Sequence, residues 1–351
     1  MLAPFRIGIS DDFRIQAPGR LEPVVARIFG LLPQVEVIYF APTGADLAGP
    51  YVTPADIADL DAVIALSPRF TAQSFSGQDR LAVIARWGVG YDLIDVAACT
   101  AADVLLAIAV DAVRRPVAEA IVTLLLALAK QLPAKDRLVR AGAWQQRARI
   151  DAYGLTGKVV GSVGLGNIGA EMFRLLQPFG FRRMLAADPY AGPQVAAALG
   201  VELVDLETLF AESDFVAVNC LLSEETRGLV GARLLGLMKP TAFFINTARG
   251  PIVDQAALLA VLEAGRIAGA GLDVFAEEPL PAGHPLTRLD NVILTPHSLA
   301  WTDQLYEDNG ISACEGVLAV LRGELPRHPV NRQVAEHAGF QAKLQELAAR
   351  W

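Results

Sequence analysis

The sequence predicts an α/β protein with two doubly wound parallel-sheet domains. Short apolar runs alternate with helical stretches along the 351 residues, and this alternation is typical of parallel strands joined by crossover helices. A chain of this length usually forms about two domains. Because 53% of the residues are hydrophobic and 19% are charged, the chain can bury substantial cores and lacks the composition of a disordered protein.

The first third of the chain is predicted to form one sheet. Its strands are residues 6–10, 35–40, 62–66, 81–86 and 104–109, with helices between them such as 21–32 and 94–102. A long apolar helix is predicted to follow from Pro116 to about residue 132, because proline is favoured in the first turn of a helix, where its missing N–H costs nothing. Its most apolar stretch, 120–129, is only about half as long as a membrane span requires. We therefore expect a buried helix there.

A second sheet is predicted from residue 159 onwards. Its strands are residues 159–163, 184–187, 215–219, 242–246, 269–274 and 292–295, and helices are predicted near 206–211, 232–237 and 255–263. These strands complete a doubly wound sheet, so the amphipathic segment 302–321 is expected to return to the first domain. The predicted domains are therefore 1–112 together with 300–351, and 113–299.

Charge and cysteine content exclude several classes of protein. The net charge is −8 and there is no run of basic residues, which argues against nucleic-acid binding. The three cysteines are widely spaced and odd in number, so they suit a reducing compartment and give no metal-binding or disulfide pattern. No positively charged segment leads into an apolar signal core. We expect a cytoplasmic protein that binds neither a membrane nor a metal ion.

Residues 158–188 follow the order strand, glycine turn, helix, strand and acid. Gly164 allows a tight turn after the first strand, Gly166 lets the backbone approach a pyrophosphate, and Gly169 lets the helix pack closely on the strand. The helix N-terminus offers N–H groups and a partial positive charge to phosphates. Asp188 ends the second strand, where it would accept hydrogen bonds from the adenosine ribose. The segment therefore predicts a binding site for NAD.

Three later strand ends carry groups that suit one reaction. Arg249, Glu278 and His297 follow the strands that end near residues 246, 274 and 295. In an open parallel sheet, ligands bind outside the carboxyl ends of the strands, so these side chains are expected to lie beside the nicotinamide. Taken alone, His297 could be a residue that ends a strand and has no role in catalysis. Glu277, the neighbour of Glu278, is another candidate for the catalytic carboxylate.

Interconversion of a 2-keto and a 2-hydroxy acid by hydride transfer with a nicotinamide needs these residue types. The protein must transfer a proton to or from the substrate oxygen and stabilise its negative charge. His297 can give a proton to the carbonyl oxygen or remove it from the hydroxyl. Glu278 would accept from the other ring nitrogen and favour the imidazolium. Arg249 can grip carboxylate and carbonyl oxygens with its guanidinium fork. The leading hypothesis is therefore an NAD-dependent dehydrogenase or reductase.

Six motifs carry a resemblance to a known family. They are RWGVGYD (86–92), VAE (117–119), VGLGNIG (163–169), INTARG (245–250), LDVFAEEP (272–279) and LTPH (294–297). With these motifs the chain resembles the D-isomer-specific 2-hydroxyacid dehydrogenases from about residue 81 to residue 332. The resemblance implies an NAD-binding Rossmann domain inserted in a flavodoxin-like substrate domain, no metal ion, and assembly as a homodimer.

The resemblance also assigns roles to individual residues. It implies that Arg249, Glu278 and His297 are catalytic, and it favours Glu278 over Glu277. Asp273 matches the acid that contacts the nicotinamide amide. Further cofactor contacts are expected at Asn167, Ile168 and Thr247, and the substrate carboxylate is expected on the backbone N–H groups of Gly88, Val89 and Gly90.

Departures from the family pattern leave the substrate open. Leu93 stands where the family often has asparagine, and residues 109–111 (AVD) replace a commoner Thr-Pro-Gly. The large side chains of Trp87, Tyr91 and Trp301 could line the substrate pocket or could only pack against the rest of the protein. Glyoxylate, hydroxypyruvate, a phosphorylated acid and a sugar acid all remain candidates. An alternative from another class is an NAD-sensing interaction protein like the C-terminal-binding corepressors, which resemble the same family. Oxidation of formate is disfavoured, since it releases no hydroxyl proton that would need His297.

Overall fold

The computed structural model describes residues 3–351, which divide into two compact units. Unit 1 consists of the chain up to Val113 together with Thr302–Trp351, and unit 2 is Arg114–Trp301. The sequence predicts the divisions near residues 112 and 300. Each unit is built around one parallel sheet.

The strands and helices alternate along most of the chain. The strands are β1 (Phe5–Ser10), β2 (Val35–Phe40), β3 (Gly44–Asp46), β4 (Gly49–Tyr51), β5 (Ala62–Ala65), β6 (Val83–Arg86), β7 (Leu105–Ile108), β8 (Val159–Val163), β9 (Arg183–Ala187), β10 (Glu202–Leu203), β11 (Phe215–Val218), β12 (Phe243–Asn246), β13 (Gly269–Leu272) and β14 (Val292–Leu294). The helices are α1 (Phe13–Gln16), α2 (Glu22–Phe29), α3 (Pro54–Ile57), α4 (Val96–Ala101), α5 (Val110–Ala129), α6 (Leu132–Arg140), α7 (Asn167–Leu176), α8 (Pro193–Ala198), α9 (Leu206–Glu212), α10 (Ala232–Leu235), α11 (Gln255–Glu263), α12 (Asp303–Leu321) and α13 (Ala338–Arg350).

The sheet of unit 1 has the strand order β2-β1-β5-β6-β7, and its neighbouring strands are parallel. This is the flavodoxin-like order, with its switch point between β1 and β5. Strands β5 and β6 are almost entirely buried, which explains their continuous apolar sequences. Helix α12 packs against β6 and α2, and Gly310 allows a close approach, since a Cβ there would lie 3.2 Å from Val24 Cγ2.

The predicted start of the long apolar helix is wrong. Helix α5 begins at Val110 and contains Pro116 in its interior. The proline removes one backbone donor and would destabilise an isolated helix. Its neighbours Ala112, Val113 and Ala118 are buried, so tertiary packing outweighs the local preference. Among residues 3–351, no single helix is long and apolar enough to cross a membrane; α5 and α6 together would pass by length and composition, but they are bent by 59°.

The sheet of unit 2 has the strand order β10-β9-β8-β11-β12-β13-β14, again with parallel neighbours. The chain thus starts at the central strand β8, winds outward on one side and then on the other. Edge strand β10 has two residues, both exposed, and the sequence does not predict it. Separate apolar clusters pack around Phe173 and around Phe244. The predicted fold class, two doubly wound parallel sheets, is confirmed.

Candidate active site

The glycine turn connects β8 to α7 and needs its glycines for different reasons. Gly164 has a φ of +98°, and a Cβ there would lie 2.8 Å from the backbone nitrogen of Cys220. A Cβ on Gly169 would lie 2.6 Å from Gly164 O, so α7 approaches β8 this closely only without a side chain. At Gly166, by contrast, a Cβ would meet nothing within 4 Å. This open space at the N-terminus of α7 is what a bound pyrophosphate needs.

The other predicted cofactor residues surround this turn. Asn167 and Ile168 begin α7, where backbone N–H groups have no acceptor within the helix. Asp188 follows β9, the neighbour of β8. Its Oδ2 accepts a 2.8 Å hydrogen bond from the backbone N–H of Leu165, and its Oδ1 accepts one of 2.8 Å from the N–H of Tyr190. The carboxylate is therefore already oriented beside the glycine turn.

The segment after β12 presents Thr247 and Arg249. Asn246, the last residue of the strand, accepts a 3.0 Å hydrogen bond from the N–H of Ala248 and donates one of 3.0 Å to the carbonyl of Arg249. The Arg249 side chain donates from Nη1 to the carbonyl of Ala248 at 2.7 Å. The hydroxyl of Thr247 is buried without a hydrogen-bond partner in the protein, and buried polar groups usually have one, so this hydroxyl can bond to a bound ligand.

Glu278 and His297 form a hydrogen-bonded pair. Glu278 Oε2 lies 2.7 Å from His297 Nδ1, and Glu278 Oε1 accepts a 2.9 Å hydrogen bond from the backbone N–H of Phe275. Burial opposes ionisation of Glu278, but these hydrogen bonds outweigh it and lower the pKa of the carboxyl group. An ionised Glu278 can only accept a hydrogen bond, so Nδ1 of His297 carries the proton that it donates to Glu278, and the other ring nitrogen, Nε2, is left available to a ligand.

Asp273 holds the loop that carries His297. It is 4% exposed, and its Oδ1 accepts hydrogen bonds from Thr295 Oγ1 at 2.6 Å, from Ser298 N at 3.1 Å and from Leu299 N at 3.2 Å. His297 itself has a φ of +52°, a conformation that costs a non-glycine residue energy. The bonds to Asp273 on both sides of His297 therefore stabilise the strained position of the imidazole.

Arg249, Glu278 and His297 all follow the carboxyl ends of strands in the sheet of unit 2. Arg249 follows β12, Glu278 follows β13 and His297 follows β14, and the three strands are neighbours. Gly250 lets the first two segments approach closely, because a Cβ there would lie 1.8 Å from the carbonyl oxygen of Phe275. The strand ends thus bring together a guanidinium, a carboxylate and an imidazole.

Gly88, Val89 and Gly90 follow β6 in unit 1. Gly88 has a φ of +132°, and its carbonyl accepts a 2.9 Å hydrogen bond from the backbone N–H of Ala109. The Arg86 side chain bonds to the carbonyl of Trp87. The loop therefore has a fixed backbone conformation that only glycine adopts readily at position 88.

The aromatic residues near the predicted pocket differ in exposure. Trp87 is 2% exposed and packs against Phe13 and Tyr306, with ring centroids 5.7 and 5.5 Å away. It is thus a core residue of unit 1. Trp301 is 38% exposed, and its backbone N–H donates a 2.9 Å hydrogen bond to the carbonyl of Ser298, in the turn that follows His297.

Sequence reasoning missed three residues that organise the site. Asn246 shapes the turn before Arg249, and Thr295 ties Asp273 to the His297 loop. Gln255, the first residue of α11, accepts a 2.9 Å hydrogen bond from the backbone N–H of Ala276 and so anchors the segment that carries Glu278. Their only signal in the sequence is a polar side chain at the end of a strand or start of a helix. Within residues 3–351, no group of three or more His, Cys, Asp or Glu side chains could hold a metal ion.

Comparisons with known proteins match both the sequence and the fold. Residues 122–298 match the family model described as D-isomer specific 2-hydroxyacid dehydrogenase, NAD binding domain. Glyoxylate reductase of Korarchaeum cryptofilum is 37% identical over 291 residues, which cover 81% of this chain and 87% of that protein. D-3-phosphoglycerate dehydrogenase of Methanocaldococcus jannaschii is 39% identical over 277 residues, 78% of this chain but only 52% of that protein. The solved structure of the TT0316 protein from Thermus thermophilus has a TM-score of 0.78 at 29% identity, with 93% of this chain and 100% of that chain covered.

Proposed function

Since this chain belongs to the D-isomer-specific 2-hydroxyacid dehydrogenase family, we propose that it transfers a hydride between NAD(H) and a small 2-keto or D-2-hydroxy acid. The family makes it an NAD-dependent oxidoreductase that acts on CH–OH groups. The observation that carries the proposed mechanism is the 2.7 Å contact between His297 Nδ1 and Glu278 Oε2, at the sheet edge where Arg249 follows a neighbouring strand.

The cofactor-binding residues of this chain fit NAD. The space at Gly166 suits a pyrophosphate, Asp188 is oriented to accept from ribose hydroxyls, and the buried hydroxyl of Thr247 lacks a partner. When bound, NADH would supply the hydride for C2 of the keto acid. Asn167 and Ile168 would offer backbone N–H groups to the phosphates, and Asp273 would contact the nicotinamide amide.

His297 moves the proton in the proposed reaction. Its Nε2 donates a proton to the carbonyl oxygen during reduction and removes it from the hydroxyl during oxidation. Glu278 holds Nδ1, fixes the tautomer and favours the imidazolium. Burial alone would raise the pKa of Glu278, but hydrogen bonds from His297 and Phe275 outweigh burial and lower it. The carboxylate therefore stays ionised at pH values below the usual pKa of a glutamate.

In this proposal Arg249 of unit 2 is the cationic group that binds the substrate anion. Arg249 binds carboxylate and carbonyl oxygens with its planar fork, and the carbonyl contact strengthens as negative charge develops on that oxygen. In unit 1, the loop 88–90 would offer the backbone N–H groups of Val89 and Gly90 to a carboxylate, whereas the predicted donor at Gly88 already bonds to the carbonyl of Arg86 at 3.0 Å. What supports this role is the fixed conformation of the loop, with Gly88 at a φ of +132°.

A panel of 2-keto acids, assayed by NADH oxidation, tests the proposed function. The panel contains glyoxylate, hydroxypyruvate, a phosphorylated 2-keto acid and a sugar-derived 2-keto acid. Turnover of at least one of them, with a product of D configuration, is the expected result. NADH binding without turnover of any of them would instead favour the alternative, an NAD-sensing interaction protein.

We also propose that the protein forms a homodimer. Helix α6 has no buried residue, and exposed apolar side chains lie on it and on the 3₁₀ turn that follows, Leu132 at 59%, Val139 at 55% and Trp144 at 58%. Apolar surface of this kind is typical of an interface. Sedimentation should give a dimer for the wild type and a monomer for a Val139→Glu, Trp144→Glu double variant; a monomeric wild type would contradict the proposal.

A cytoplasmic location stays a prediction from the sequence.

A further inference from the structure

A side-chain contact joins two loops on either side of the glycine turn. Strand β8 lies between β9 and β11 in the sheet, so the loops after β9 and β11 flank the turn that follows β8. Tyr190 belongs to the first loop and Glu225 to the second. The Tyr190 hydroxyl donates a 2.7 Å hydrogen bond to Glu225 Oε2. The contact therefore links the two flanking loops, and Tyr190 follows Asp188 by two residues.

Tyr190 bridges two carboxylates. Its backbone N–H donates to Asp188 Oδ1 at 2.8 Å, while its hydroxyl donates to Glu225. The hydrogen bond to Glu225 and the charge of that carboxylate, followed by smaller contributions from burial and from Asp188, raise the pKa of the Tyr190 phenol. Both negative charges therefore act on the same tyrosine, which lies next to the expected position of the adenosine ribose.

Two arginines near these carboxylates in the sequence, Arg183 and Arg227, differ in whether they could neutralise the charges of Asp188 and Glu225. Arg183 begins β9, at the opposite end of the strand from Asp188, and it pairs with Glu202 at 2.7 Å and with Glu212. Arg227 is exposed in the same loop as Glu225 and is a cation that could favour a 2′-phosphate. Direct comparison of NADH with NADPH decides which charge dominates.

We propose that Tyr190 and Glu225 form an outer wall of the adenosine site, in which Glu225 is a second carboxylate that selects NAD over NADP. The inference rests on the proposed function through the use of NAD. A 2′-phosphate on a ribose bound at Asp188 would also be repelled by Glu225. Because Tyr190 is held at its backbone and at its hydroxyl, Glu225 is in place before the cofactor binds, which reduces the ordering that binding requires.

Three variants separate the charge from the tether. Glu225→Gln keeps an acceptor for the phenol but removes the charge, and Tyr190→Phe keeps the ring but removes the tether. Glu224→Gln is the control, because it removes the same charge from the exposed neighbour of Glu225. Dissociation constants for NADH and NADPH are measured by calorimetry on each protein without substrate.

Glu225→Gln should tighten NADPH binding by about three- to tenfold, as expected for one partly screened charge, and should leave NADH binding within about twofold. Tyr190→Phe should weaken NADH binding by about two- to fivefold, since the wall is no longer held in place. Glu224→Gln should change neither constant by more than about twofold. Equal effects of Glu224→Gln and Glu225→Gln, or unchanged NADPH binding by Glu225→Gln, would overturn the inference.

Ultraviolet titration of the cofactor-free protein gives a second readout. The ionisation of Tyr190 is obtained from the difference between the wild type and Tyr190→Phe, and it should move to lower pH in Glu225→Gln. An unmoved titration would mean that the contact does not form in solution and would also overturn the inference. If the wild type fails to bind NADH, the proposed function fails; if it binds NADH and Glu225→Gln behaves as the wild type, only this inference fails.

Discussion

Replacing Glu278 with glutamine tests how the carboxylate acts on His297. Glu278→Gln keeps the size of the side chain and an oxygen that can face His297 Nδ1, 2.7 Å away in the wild type, but removes the negative charge. That charge favours the protonated imidazole, which gives its proton to the keto acid. Reduction by the variant should therefore lose activity at a lower pH than reduction by the wild type.

The size of the shift follows from the exposure of the pair. The side chains of His297 and Glu278 are 43% and 35% exposed, so solvent screens their attraction. An exposed ion pair contributes about 0.2–1 kcal/mol, and a hydrogen bond to a charged group about 1.5–3 kcal/mol. An intermediate value of about 1.4 kcal/mol corresponds to about a tenfold loss of kcat on the alkaline side of the profile.

The assay is kcat for keto-acid reduction between about pH 5 and pH 9, which brackets the ordinary histidine range. Glu277→Gln is the matched control, since Glu277 is the exposed neighbour of Glu278. The control should keep the wild-type profile. An unchanged profile in Glu278→Gln, or an equal shift in both variants, would refute the reasoning.

Three further predictions concern substrate binding, cofactor choice and stability. Arg249→Lys should lower kcat/KM almost as much as Arg249→Ala, because an ammonium group cannot replace the guanidinium fork; wild-type kinetics in the lysine variant would mean that only positive charge is needed. Catalytic efficiency with NADH should exceed that with NADPH by at least about tenfold, since Asp188 meets a 2′-phosphate with a like charge, and equal efficiencies would rule this out. Asp61→Asn should lower the free energy of unfolding by about 3 kcal/mol near neutral pH, because Asp61 is 1% exposed and pairs with Arg80 and Arg350. Burial opposes ionisation of Asp61, but its hydrogen bonds to Arg350 and Arg80 outweigh this effect and lower its pKa. The difference in unfolding free energy, measured by urea denaturation, should therefore be complete above the ordinary pKa of aspartate and should shrink as the pH falls through the lowered pKa. A difference that does not depend on pH would contradict this prediction.

Much of the fold could be predicted because parallel strands buried on both faces leave a strong signal. Strands β5, β6, β8 and β11 are buried at every or nearly every position, and their sequences are apolar apart from Arg86 in β6 and Ser162 in β8. The hairpin β3–β4 and the edge strand β10 are short and largely exposed, so they leave no such pattern. The start of α5 was mispredicted because burial around Pro116 outweighs the local preference of proline.

The predicted site residues could be proposed from residue type and position at strand ends. Arg249, Glu278 and His297 are polar residues that follow three neighbouring apolar strands, and this placement is visible in the sequence. The contacts of Asn246, Thr295 and Gln255 could not be predicted, because they join side chains to backbone groups that meet only after the strands are in register. The positive φ of His297 likewise depends on bonds to Asp273, which no local pattern reveals.

The most direct test of the proposed mechanism is the turnover of His297→Asn on the best substrate of the wild type. The variant should lose about 10²–10⁴-fold in kcat while its NADH dissociation constant stays within about twofold, as expected for loss of a positioned proton donor. His337→Asn is the control, because His337 pairs with Asp103 in unit 1, 2.9 Å away, and should keep wild-type turnover. Near-normal turnover by His297→Asn would contradict the assignment of His297 as the acid and base.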